Sequence, residues 1–220
     1  MDITYLGHSS FKIRGKNATI VTDPFNPEMV GFKYPKIEAD IVTVSHSHPD
    51  HNYTEVFEDP KLVKKPVIVN GPGEYEIKGV NILGVSTFHD DKEGQERGKN
   101  TLYEIRMDGL VLVHLGDLGH KLTEKQTEEI EDVDILFLPV GGFYTLDPKM
   151  ASEVIAELEP TIIIPMHYQR PGLNANNFDK LVGVNEFLKV MGKTDVAPQD
   201  KLTISKDKLL EETQIVILNS

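Results

Sequence analysis

Three histidines and an aspartate fall within six consecutive residues, His46-Ser47-His48-Pro49-Asp50-His51, directly after the apolar run Ile41-Val42-Thr43-Val44. A β-branched run of that kind reads as a buried strand. A chain that sets so many polar side chains at the end of a buried strand must either solvate them or use them together. With only 8 histidines in 220 residues, three in six positions point to use. Imidazole nitrogen and carboxylate oxygen bind divalent metals at about 2.0–2.2 Å. At strand spacing His46 and His48 point to the same side and can reach one ion. Pro49 then turns the chain, so Asp50 and His51 can face a neighbouring ion. Cysteine is absent, which excludes disulfides, thiolate metal sites and cysteine nucleophiles, so any metal must be held by His, Asp or Glu.

Around this cluster the first half of the chain reads as short strands at Asp2–Leu6, Ser10–Arg14, Thr19–Thr22, Ile41–Ser45, Pro66–Asn70, Tyr75–Ile77 and Val80–Thr87. Asp108-Gly109 between Leu102–Met107 and Leu110–Leu115 predicts a tight hairpin. The second half alternates. Thr123 with Gln126 is a capping-box pattern opening a helix to about Ile130, and Val133–Val140 is a buried strand. Asp147-Pro148 caps and opens a helix to about Leu158, and Thr161–Met166 is another buried strand. A third helix is predicted over Asn177–Val190, with closing strands at Lys201–Ser205 and Gln214–Leu218; Asp90–Asn100 and Tyr168–Asn176 read as long loops. Strands first, then strands alternating with helices, predict an α/β sandwich in one domain over residues 1–220: two mixed sheets packed face to face, with helices on the outer faces.

The formal charge of −12 argues against nucleic acid as a bulk partner, because neutralising phosphates needs clustered Lys and Arg. Met1-Asp2-Ile3-Thr4 opens without a basic, then apolar, leader pattern, and no apolar run approaches the ~20 residues of a membrane span. The expectation is a cytoplasmic protein with a small-molecule substrate and no membrane partner; a homo-oligomer is left open.

His46-Ser47-His48-Pro49-Asp50-His51 resembles the His-x-His-x-Asp-His signature of the metallo-β-lactamase superfamily. Leu6-Gly7-His8-Ser9-Ser10 and Thr22-Asp23-Pro24 look like that family's opening strands. Gly116-Asp117-Leu118-Gly119-His120 looks like its metal-bridging motif, and Pro139-Val140-Gly141-Gly142 and Pro165-Met166-His167-Tyr168 look like its later strand ends. The subgroup it resembles most is the prokaryotic Zn-dependent hydrolases related to ascorbate-6-phosphate lactonase. The resemblance implies a hydrolase with two divalent ions, zinc in the first instance, with manganese or iron also compatible. It makes His89 the third ligand of the first metal, Asp117 the bridge and His167 the residue completing the second. It also implies that water activated between the ions attacks a small anionic ester, a phosphodiester or a lactone, with Asp50 both ligating and orienting it.

Other residues carry two readings each. His8 either donates to substrate or braces the ligand loop, and His120 acts as a general acid or as a brace. Arg97 and Lys99 either receive an anion or are simply solvated. The resemblance makes Gly142–Thr145 a pocket wall and Tyr144 and Tyr168 substrate contacts. His114, inside an apolar run, reads as a histidine of the core or one that supports the ligands from behind. Three competing functions are a nuclease of the same fold, a diiron redox protein and a non-catalytic metal or metabolite binder. Diiron relatives carry Glu at the second signature position, where this chain has His48, and they need a flavin domain for which there is no room.

Overall fold

Alternation along the first strand sets the architecture. In β1 (Asp2–Gly7) the side chains of Ile3 and Tyr5 are buried while their neighbours are half-buried, so one face turns inward. It is followed by β2 (Ser10–Arg14), β3 (Thr19–Thr22), β4 (Ile41–Val44), which is buried at every position, and β5 (Val67–Asn70). In the computed structural model, which describes residues 1–60, 62, 64–130 and 132–220, these strands and β12 (Leu202–Thr203) form one sheet in the order β12-β1-β2-β3-β4-β5. The second sheet runs β13-β11-β10-β9-β8-β7-β6. It comprises β6 (Gly73–Ile77), β7 (Val80–Phe88), β8 (Lys99–Met107), β9 (Leu110–His114), β10 (Ile135–Pro139), β11 (Ile162–Met166) and β13 (Gln214–Ile215). Both sheets mix parallel and antiparallel pairs.

Ile3, Phe11 and Ile13 of the first sheet pack against Tyr103, Phe137 and Ile164 of the second, and this inter-sheet layer is the largest apolar cluster. The alternate residues of the second sheet, such as Leu136 and Ile163, meet α3 (Pro148–Leu158) and α5 (Val184–Val190) on its outer face. Val42 and Val44 turn to the outer face of the first sheet and pack with Phe57. The predicted sandwich is the one observed. The hairpin turn has both Asp108 and Gly109 at positive φ, 55° and 80°, the twist that a two-residue hairpin requires. The capping box of α2 (Glu124–Glu128) and the Asp147 cap of α3 are also present.

The helix predicted over residues 177–190 is two helices, α4 (Ala175–Phe178) and α5. Phe178 and Leu181 belong to a cluster with Phe25 and Val30, whereas Phe187 and Leu188 belong to the outer-face cluster of the second sheet. One straight helix cannot serve both, so the chain breaks before Gly183, which caps α5. The short α1 (Pro27–Val30) was not foreseen; Asn26 caps it and Pro27 opens it. Asp90–Asn100 is not wholly loop, since β8 begins at Lys99. No helix among the described residues is long and apolar enough to cross a membrane.

Strand direction positions the site. β3 and β4 are parallel, and β1 reaches β3 through two antiparallel steps, so the three end at one edge. By the same count β7, β9, β10 and β11 end together. The two edges are joined where the His167 N–H donates to the His8 carbonyl at 2.9 Å and the Thr101 N–H to the Ser45 carbonyl at 2.8 Å.

Candidate metal centre

At that edge the chain leaves its strands in strained turns. His8, Asp23 and His167 sit at φ 55°, 37° and 50°, conformations that cost a side-chain-bearing residue roughly 1–2 kcal/mol each. His8 follows β1, Asp23 follows β3, His89 follows β7, Asp117 lies just past β9 and His167 follows β11. His46 and His48 are not on a strand as expected: β4 stops at Val44, and the His51 N–H closes a turn on the His48 carbonyl at 2.9 Å. The two rings still meet, 4.7 Å apart, because the turn rather than the pleat brings them to one side.

His46, His48 and His89 form one group of donor atoms, and His8, Asp50, His51 and His167 form another, each with its atoms within 4.8 Å of one another. Asp117 stands between them. Its Oδ2 lies 3.2 Å from His89 Nε2, 3.2 Å from His51 Nε2, 3.3 Å from His167 Nε2 and 3.9 Å from His46 Nε2. The Asp117 main-chain N–H is fixed by Asn100 Oδ1 at 3.0 Å, and the Asn100 amide donates in turn to the Leu115 carbonyl and the Thr87 hydroxyl.

Ring tautomers follow from the groups behind the histidines. Asp23, fully buried, accepts from the Ser45 N–H at 2.8 Å, the Ser45 hydroxyl at 2.5 Å and His51 Nδ1–H at 2.8 Å. Having donated to Asp23, the Ser45 oxygen accepts from His46 Nδ1–H at 2.9 Å. One carboxylate thereby keeps the Nε2 lone pairs of both His46 and His51 turned to the cluster. Burial pushes His46 down to about 3, reinforced by the charge of His51. Burial and then His89 lower His48. His51 behaves oppositely: burial opposes its charge, but Asp117 and Asp50 outweigh burial and raise it well above the usual histidine value. Asp117, although burial favours its neutral form, is held well below the usual carboxylate range by His167 and His51. The cluster thus retains carboxylate charge and a proton at His51 that a cation can replace.

These residues fit a metal. His46 Nε2, His51 Nε2, His89 Nδ1, both ring nitrogens of His167 and Asp117 Oδ1 are buried without a hydrogen-bond partner. Buried polar atoms are normally paired, and a cluster of orphaned imidazole and carboxylate donors is the donor set of a transition-metal site.

The cluster opens into a cleft of about 460 Å³. His48, Asp50, His89, Asp117 and His167 line it, together with Glu96, Arg97, Met29, Tyr144 and Phe178. A second hollow of about 500 Å³, along β6 and β7, contains none of the cluster residues. His8 Nε2–H donates to Asp50 Oδ2 at 3.0 Å; burial and then His167 lower its pKa to about 4, so it is neutral and braces Asp50. His120 is not brought into the cleft. Its Nε2 accepts from the Phe88 N–H and its Nδ1–H donates to the Lys121 carbonyl, so both nitrogens hold the backbone leading to His89. Tyr168 is buried in the outer-face core and does not line the cleft. His114 is the expected core histidine, donating to the Ser9 carbonyl at 2.9 Å. The sequence does not mark Ser45 or Asn100, and it marks Asp23 only within the resemblance of Thr22-Asp23-Pro24 to the family's opening strands. A lone polar residue next to a ligand or inside an apolar strand is the signal that could have marked them.

Two mixed sheets with a histidine–aspartate cluster at their common edge define a metallo-hydrolase scaffold. Residues 2–167 match the model of the β-lactamase superfamily domain, and the chain belongs to that superfamily, within its UPF0173 metal-dependent hydrolases. A UPF0173 metal-dependent hydrolase of Thermococcus onnurineus is 31% identical over 208 residues, covering 82% of this chain and 92% of its own. The crystal structure of a Thermotoga maritima protein assigned to the Zn-dependent hydrolases of the metallo-β-lactamase superfamily is 38% identical. It superposes with a TM-score of 0.78 over 99% of this chain and 97% of its own. Igni18, a metallo hydrolase from Ignicoccus hospitalis, shares the fold at 21% identity, with a TM-score of 0.64 over 93% of this chain and 99% of its own. The protein is a metal-dependent hydrolase.

Proposed function

We propose that this chain, acting as a single hydrolase domain over residues 1–220, hydrolyses a small anionic ester, a phosphodiester or a lactone, with two divalent ions. Zinc is the first candidate, and manganese or iron suit the same donors. The observation that carries the reading is the position of Asp117 Oδ2 between two histidine groups, 3.2 Å from both His89 and His51. His46, His48 and His89 would hold one ion, Asp50, His51 and His167 the other, and Asp117 would bridge them.

A divalent ion in such a site supplies Lewis acidity and lowers the pKa of water toward neutrality. The chain's own residues do the rest. His8 holds Asp50 through Oδ2, leaving Asp50 Oδ1 to ligate and to orient the attacking water. The Asp23–Ser45 relay keeps His46 and His51 in the tautomer that a ligand requires. Met29, Tyr144 and Phe178 form the less polar wall against which the substrate lies, and Arg97 attracts its charge. His120 supports the site from behind. The resemblance to the ascorbate-6-phosphate lactonase subgroup favours lactones and phosphoesters over nucleic acid, as does the charge of −12. A small molecule as partner and a cytoplasmic location complete the reading.

The test is elemental analysis by inductively coupled plasma mass spectrometry on wild type and Asp117→Ala. About two ions per chain, falling in the variant, supports the binuclear centre. No metal after incubation with zinc, manganese or iron overturns it and leaves a binding role without catalysis.

A further inference from the structure

Phe143 is an exposed aromatic residue directly before Tyr144, which lines the cleft, and its backbone is strained. It is 50% exposed and sits at φ 53°, directly after Gly142 at φ 66°. A bulky side chain in the left-handed region is an outlier that surrounding structure must maintain, and such outliers concentrate at functional sites. Gly142 itself is held there because its carbonyl accepts from the Tyr144 N–H at 2.6 Å and its N–H donates to the Leu146 carbonyl at 3.1 Å.

Two cations converge on this ring from separate parts of the chain. The Lys180 ammonium is 4.4 Å from its centroid and the Arg97 guanidinium 5.9 Å, with Arg97 also 5.7 Å from the ring of Tyr144. Lys180 follows α4, outside the segment that matches the superfamily model, and has no carboxylate within ion-pair distance among the described residues. Among the described residues Arg97 has one ion-pair contact, Glu96 at 3.8 Å, and that carboxylate is itself taken by Lys92 at 2.5 Å.

Arg97 is also fixed from behind. The Asp90 carboxylate accepts four main-chain N–H groups, those of Lys92 and Gly94 at Oδ1 and those of Glu96 and Arg97 at Oδ2, between 2.7 and 3.0 Å. This folds the segment between β7 and β8 into one arrangement and delivers Arg97 to the cleft. A pre-ordered guanidinium over an aromatic face loses little freedom when it binds an anion. In a chain with a net charge of −12, an ammonium with no carboxylate in ion-pair distance among the described residues and a guanidinium whose Glu96 contact is long and shared with Lys92 converge on one ring beside the cleft, which is an anion-recognition feature.

We infer that Arg97, Lys180 and Phe143 form a second anion subsite, so that the substrate carries a phosphate or carboxylate away from the bond cleaved at the metal cluster. The inference rests on the proposed hydrolytic reading of the cleft. Arg97 and Lys180 bind that distal charge, and Phe143 holds both cations in place and covers the adjoining carbon chain. The substrate class is then a bifunctional one: an ester or lactone with a separate anionic end.

The test is isothermal titration calorimetry on the metal-loaded protein with ω-carboxyalkylphosphonates of two to six methylenes, each against the matched alkylphosphonate. Alkane bisphosphonates form a further arm that separates a distal phosphate from a distal carboxylate. The expected result is an affinity at least about tenfold higher for one length of a doubly anionic probe, a preference falling toward one in R97Q/K180Q. Equal affinities of matched probes at every length, or a preference that survives in the double variant, overturn the subsite while leaving the hydrolytic centre intact. Metal-independent binding of the alkylphosphonates, or no binding of any probe, overturns the reading of the cleft and the subsite with it.

Discussion

Asp23→Asn should weaken metal binding through a residue that never touches the metal. The carboxylate is fully buried and its Oδ2 accepts from both the Ser45 hydroxyl and His51 Nδ1–H. His51 holds it below the usual carboxylate range against the effect of burial, so the charge is present at neutral pH. In the variant, the amide oxygen still accepts from the Ser45 N–H, but an NH₂ group now faces His51 Nδ1. His51 then gives up its Nδ1 proton and keeps the one on Nε2, which points at Asp117 Oδ2 at 3.2 Å. The lone pair intended for a metal is consumed. Loss of such a supporting partner costs about 10–100-fold in metal affinity, roughly 1.4–2.8 kcal/mol. The metal-free fold should also weaken. Hydrogen bonds to a charged group are worth about 1.5–3 kcal/mol each, and two are compromised, so a loss of up to about 3–6 kcal/mol is expected. Zinc titration of chelator-treated protein by calorimetry reads the first effect, and thermal unfolding with chelator present reads the second. Unchanged zinc affinity in a folded variant would refute the argument that Asp23 sets the tautomer of His51. Ser45→Ala, which removes only the hydroxyl link to His46, should fall between wild type and the variant.

Gly141→Ala should displace His167, because an added Cβ would lie 2.1 Å from the His167 carbonyl oxygen, and the measured outcome is lower metal content per chain. Asp90→Asn should alter acid stability: burial opposes the charge of Asp90, but four main-chain N–H groups hold its pKa at about 2. A carboxyl depressed in the folded state stabilises above its unfolded value of about 4, and that contribution is lost as pH falls through about 2, so the variant's unfolding profile should be flatter between those limits. His120→Gln, at a residue whose ring nitrogens bond only backbone, should shift thermal stability without moving the pH profile of hydrolysis; a moved profile would restore it as an acid–base group. Phe143→Gly relieves a left-handed side chain and should raise stability by about 1 kcal/mol in denaturant unfolding, while abolishing preference for doubly anionic probes.

Local chemistry made much of this protein readable from its sequence. Runs rich in Val, Ile and Thr located the strands of both sheets, Asp108-Gly109 specified its hairpin, and Thr123 and Asp147 announced their helices, because each signal acts over a few residues. The dense run from His46 to His51 declared its purpose for the same reason. His89, Asp117 and His167 were legible only through resemblance, since a single histidine or aspartate at a strand end carries no mark of its use. What tertiary structure alone decided is everything that depends on distant residues sharing space. The chain breaks between α4 and α5 because Phe178 and Phe187 belong to different apolar clusters. His120 faces backbone instead of the cleft, and Tyr168 is core rather than wall. Asp23 governs His51, 28 residues away, because parallel pairing of β3 and β4 brings their ends together. Arg97 and Lys180 meet at one ring because a folded loop and a short helix end on the same side of the cleft. Periodicity and capping are properties of neighbours along the chain; convergence of charges, tautomers and rings is a property of the packing that folds those neighbours together.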